Sequence, residues 1–115
     1  MSRVGDVCEG RSNRMVGVND MINEAIATQD VSRVEEHLET WHDFQQAFVN
    51  QLYALNLPDD VSSARGQEEE ASNSLQFAAE SGGDPDAILE NLISAQTELS
   101  SASAEWSALG ISCTL

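Results

Sequence analysis

The sequence predicts an all-α protein, an antiparallel three- to four-helix bundle with heptad-like seams behind a flexible or extended N-terminal arm. Three observations predict it. Apolar residues recur in steps of three and four over long stretches. An Asp-Pro pair opens the last of these stretches. Short runs containing proline or glycine separate them.

The N-terminal third carries the weakest pattern. Met15, Val18, Ile22 and Ala25 form a seam, with Ile26 beside it, and predict a helix over 13–27. Upstream, Val4, Cys8 and Arg11 keep the same phase. Gly5, Gly10 and Gly17 nevertheless argue for a flexible or extended arm, assigned to 1–12, and leave this stretch ambiguous. Thr28-Gln29-Asp30 is short enough for a helical hairpin turn, and the seam changes phase there.

The clearest pattern covers 31–55. Val31, Val34, Leu38, Trp41, Phe48, Leu52 and Leu55 form one seam, with Gln45 in its single polar slot. Phe44 widens the apolar face, which suits a bundle better than a two-stranded coil. The predicted helix spans 30–56, with Asp30 as its N-cap. Pro58 ends it, because proline disfavours helix just before itself.

A weaker helix is predicted over 60–81. Its seam is Val61, Ala64, Ala71, Leu75 and Ala78, interrupted at Glu68. Small seam residues permit close approach but bury little area. Gly66 costs about 1 kcal/mol relative to alanine, so this element is expected to be the least stable, or bent there. Ser81-Gly82-Gly83 breaks the chain, and Asp84-Pro85 starts a helix over 84–109. Its seam is Ile88, Leu92, Ala95, Leu99, Ala102, Trp106 and Leu109, with Gly110 as the stop. The organisation expected is an arm over 1–12, a bundle over 13–110 and a tail over 111–115. An up-down-up-down path puts both chain ends at one end of the bundle.

Charge speaks about solvent. The chain has no lysine and five arginines against 20 Asp and Glu, for a formal net charge of -15. Such a surface repels itself in dilute buffer and is tolerable at molar salt, where the Debye length falls to about 3 Å. The source expected is a salt-in halophile or a virus of one. The chain would then work in the cytoplasm or within a virus particle. An apolar content of 41% suffices for one core. No apolar run reaches the length of a membrane span, and no leader pattern opens the chain. A basic footprint for direct nucleic-acid binding is missing.

Few residues suggest chemistry. Cys8 and Cys113 are too far apart in sequence for a compact metal knuckle. A cytosolic protein would keep them as free thiols. The other reading is a disulfide joining the termini, which requires the two ends to meet. Glu39 and His42 make a Glu-x-x-His unit, but di-iron bundles need a second copy and two more inward glutamates. His37 is the other histidine, one turn before Trp41, where it can either stack on the indole or cap a core edge. Neither histidine has converging partners in sequence, so no metal or cofactor is expected. The acids at 59–60 and 68–70 lack the spacing of a calcium loop. No phosphate loop or nucleophile motif is present, and no catalytic residue is assigned.

The arrangement of charge is more informative than its total. Four of the five arginines fall within residues 1–33, against five acids, and Arg65 alone faces the acids of 34–115. Arg3, Arg11 and Arg14 are therefore the expected partner-binding residues, able to fork onto carboxylates of a neighbouring copy or another subunit; the other reading is that the arginines only offset local charge within the bundle. The expected function is a non-enzymatic structural or adaptor subunit of an oligomer or larger assembly. A virion component such as a capsid-associated or head-tail connecting protein is one form of it. The alternative is an acidic regulatory binding protein or nucleic-acid mimic.

Overall fold

In a computed structural model, which describes residues 2–114, five helices pack against one another and no strand forms among the described residues. They are α1 (Ser2–Arg14), α2 (Val18–Thr28), α3 (Leu38–Ala54), α4 (Ser62–Glu80) and α5 (Pro85–Ala108). Met1 and Leu115, the outer ends of the expected arm and tail, lie outside the described residues.

The extended arm is corrected to a helix. Val4, Cys8, Arg11 and Met15 recur at steps of four, three and four, and all are buried. That stripe packs α1 onto α3. Packing of this kind, with a covalent link and an ion pair described below, offsets a propensity cost of about 1 kcal/mol for each of Gly5 and Gly10. The break comes later, at Gly17, whose φ of 81° is left-handed and suits glycine. The Val18 N–H still bonds to the Met15 carbonyl at 3.1 Å across it. Val18, Ile22 and Ala25 continue the buried stripe on α2, which packs on α5.

The helix expected from Asp30 begins instead at Leu38, after a 3-10 turn at Glu35–His37. Asp30 caps a tighter turn: its Oδ1 accepts from the Ser32 N–H at 3.0 Å and the Ser32 hydroxyl at 2.7 Å. That bonding holds the Asp30 carboxyl below its ordinary pKa. The turn sends Val31 and Val34 into the core ahead of Leu38 and Trp41.

α4 runs without interruption through Gly66 and packs against both α3 and α5. Its buried Ala64, Ala71, Ser72, Ser74 and Ala78 are small, which lets both neighbours approach closely. Ser63 bonds Glu105, and Ser74 bonds Glu98 at 2.6 Å, so α4 and α5 run antiparallel. The Asp84 side chain accepts from the Ala87 N–H at 3.2 Å, and Pro85 occupies the first turn of α5.

α5 ends in a Schellman motif. The Ile111 N–H bonds to the Trp106 carbonyl and the Gly110 N–H to the Ser107 carbonyl, each at 2.9 Å, with Gly110 at φ 77°. The motif turns the tail back, so that Ile111 joins Trp106 in the core.

Two apolar clusters result. One gathers Met15, Ile22, Val34, Trp41, Leu75 and Leu92; the other gathers Val4, Phe48, Leu52, Val61, Trp106 and Ile111. On α1, α3 and α4 the residue between the two clusters is polar: Arg11, Gln45 and Glu68.

Candidate functional site

Those three side chains converge. Arg11 donates through Nη1 to Gln45 Oε1 at 3.0 Å and to Glu68 Oε1 at 2.9 Å. Its Nη2 donates to Glu68 Oε2 at 3.2 Å and to Cys113 Sγ at 3.5 Å. Gln45 Nε2 donates to Glu68 Oε1 at 2.9 Å and to the Glu68 carbonyl at 3.1 Å. Trp106 Nε1 completes the carboxylate at 3.1 Å. The guanidinium lies 4.1 Å from the Phe48 ring centroid, a cation–π contact. A buried ion pair is tolerable when its remaining hydrogen-bond capacity is met, and here Glu68 is fully supplied. Arg11 Nε has no partner among the described residues.

Arg11 is thus corrected as a partner-binding residue. It is 3% exposed, and its cation is committed to Glu68. The cause is the helical phase of α1, which turns Arg11 inward with Cys8 and Met15. Arg3 and Arg14 are exposed on α1. Their spacing is close to three full helical turns, so they share one outward stripe.

Cys8 and Cys113 form a disulfide with a Cα–Cα distance of 5.1 Å, in place of the free thiols expected of a cytosolic protein. The Schellman turn at Gly110 brings Cys113 to α1, and both cysteines are buried. Each sequence clue to this site was a polar interruption on its own helix or a lone cysteine, Cys8 on α1 and Cys113 in the tail. What locates the site is one seam interruption on each of three helices, with charges that match.

Glu39 and His42 do not converge with other donors. Glu39 is exposed, and His42 Nδ1 lies 3.4 Å from Asp43. Among the described residues no group of three His, Cys, Asp or Glu side chains is placed to hold a metal. His37 stacks on Trp41, with ring centroids 5.7 Å apart. Among the described residues no helix is long and apolar enough to cross a membrane.

The exterior has two further features. Tyr53 is stacked by Arg65 at 4.3 Å and donates its hydroxyl to Glu69 at 2.9 Å, which raises the phenol's pKa. An open groove of about 660 Å³ lies along α2 and the second half of α5, lined by Asn19, Asn23, Gln96, Ser100, Ser103 and Thr114 among others. Exposed Phe77 and Ile93 lie on α4 and α5. Comparison with family models, curated proteins and solved structures gives no match.

Proposed function

We propose that this chain is a non-enzymatic structural subunit that assembles with further copies of itself, in a halophile or its virus. The observation that carries the reading is a division of labour. Arg11, Glu68 and both cysteines are spent inside the core, while Arg3 and Arg14 stand outward on α1 of an otherwise acidic body. Arginine can fork onto a neighbour's carboxylates and keeps its short-range attraction in salt. In this reading α1 and α2 act as one broken helix, and the molecule is an antiparallel four-helix bundle whose outer α1 face meets an acidic face of the next copy. A disulfide favours a particle or other oxidising setting over the cytoplasm. A head-tail connecting or capsid-associated role is one form of such a subunit. Sedimentation velocity in molar sodium chloride tests the reading. A defined species above the 12.4 kDa chain mass supports it, and a monomer at every concentration rejects it.

A second reading draws on Glu36, Glu39 and Asp43, which stand exposed at helical spacing near the start of α3. A row of carboxylates could imitate nucleic-acid phosphates toward a basic protein. Competition with duplex DNA for a DNA-binding protein would favour that reading over self-assembly.

A further inference from the structure

The two sulfurs of the disulfide are not equivalent. Cys113 Sγ accepts a hydrogen bond from Arg11 Nη2 at 3.5 Å; among the described residues Cys8 Sγ receives none. The guanidinium is held in place, because Gln45 and Glu68 take both Nη1 hydrogens and the second Nη2 hydrogen, and Phe48 lies beneath it. Thiolates are stabilised beside a guanidinium, and the better-stabilised thiolate is the better leaving group in disulfide exchange.

The charged groups around Cys113 determine whether the bias survives. α1 supplies Arg11 and α4 supplies Glu68. Glu68 opposes a second anion, but its charge is shared with Trp106 Nε1 and Gln45 Nε2 as well as Arg11. Glu105 on α5 bonds Ser63 of α4. α3 contributes the uncharged Gln45 and Phe48. The cation in direct contact with the sulfur therefore decides the sign.

We propose that the Cys8–Cys113 bond is a thiol–disulfide exchange site of fixed polarity for small-molecule thiols. An incoming thiolate forms a new S–S bond with Cys8 Sγ. The Cys8–Cys113 bond breaks, and its electron pair leaves on Cys113, held by Arg11 Nη2. A second thiol, deprotonated, then attacks the mixed disulfide. It departs as the oxidised small-molecule disulfide and leaves Cys8 as a thiolate, which takes up a proton from water. Two thiols are oxidised and one disulfide is reduced. Both cysteines are 2% exposed, so the tail past Gly110 must lift to admit the reagent, and the flanking Ser112 and Thr114 are already exposed. Thr114 forms part of the groove wall along α5, so freeing Cys113 also opens that wall.

The test uses the oxidised full chain and reduced glutathione, with acid quenching and peptide mass mapping. The mixed disulfide is expected on Cys8 by about tenfold or more over Cys113 in native buffer, and near parity in denaturant. Parity in native buffer, a preference for Cys113, or exchange only at the rate of global unfolding overturns the proposal. Arg11→Met with Glu68→Met removes the cation together with its buried partner, and the bias should vanish; a retained bias overturns the role of Arg11. Should that pair fail to fold, Cys8→Ala decides. Its Cys113 should react with iodoacetamide with a pH midpoint below the ordinary thiol value of about 8.5, and a midpoint at or above that value overturns the proposal.

Discussion

Arg11 and Glu68, 57 residues apart in sequence, face each other as a two-pronged pair with side chains 2% and 1% exposed. The pair ties α1 to α4, two helices that otherwise each pack on α3. It also separates the two apolar clusters, so any slip of α1 along the bundle would bury an unpaired charge.

Breaking that pair from one side should be severe. Glu68→Met leaves a buried guanidinium uncompensated and should cost about 3–5 kcal/mol in urea unfolding. Arg11→Met combined with Glu68→Met should recover part of the loss, because replacing both partners removes the ion pair's desolvation penalty while Trp106 Nε1 and Gln45 lose their partners. A double-mutant cycle measures this directly; additive losses would show that the two residues do not act as a pair.

The disulfide closes nearly the whole chain, with a sequence separation of 105. Chain entropy assigns a loop of that size about 4.7 kcal/mol, and losses for small proteins run about 2–5 kcal/mol. Cys8→Ala with Cys113→Ala should therefore lower the unfolding free energy within that range while far-ultraviolet circular dichroism keeps its helical form. A change under about 1 kcal/mol would mean that the reduced chain already holds its ends together.

Salt should stabilise. With a formal charge of -15, raising sodium chloride from about 0.1 M to about 1 M shortens the Debye length from about 10 Å to about 3 Å and relieves repulsion among surface carboxylates. The thermal midpoint should rise over that interval. The sealed Arg11–Glu68 pair is poorly screened and should not reverse the trend. A midpoint that falls would contradict the reading of the surface.

Glu98 gives a pH-dependent prediction. Desolvation against α4 raises its pKa, the Ser74 hydrogen bond opposes that rise, and Glu70 adds to it. A raised folded-state value means that the native state binds the proton more tightly than the unfolded chain. The stabilisation is present below the unfolded value of 4.5 and is lost as pH rises through the higher folded value. Glu98→Gln should then raise the thermal midpoint at pH 7 and change it little near pH 4. A loss of stability at neutral pH would show that the Ser74 bond outweighs burial.

The helices were legible because their seams are regular. Val34, Leu38, Trp41, Phe48 and Leu52 are buried as their spacing requires, and so are Ile88, Leu92, Ala95, Ala102 and Trp106. Asp84-Pro85 and Gly110 bound α5 because capping is local chemistry. α1 was hidden by Gly5 and Gly10, whose low propensity is overridden by contacts that come from the far end of the chain. Asp30 marked a turn correctly but not the start of α3, since its bond to Ser32 closes before the helix begins. The polar layer was visible only in pieces. Arg11, Gln45 and Glu68 each occupy a seam position, and only the packing of three helices shows that they satisfy one another.

Light scattering in molar sodium chloride on the native chain and on Arg3→Gln with Arg14→Gln tests the central claim, that the outer face of α1 joins one copy to the next. The native chain should weigh a small multiple of 12.4 kDa, and the substituted chain should return to the mass of one chain while staying helical. A native chain of single-chain mass, or a substituted chain that keeps the native oligomer, would contradict it.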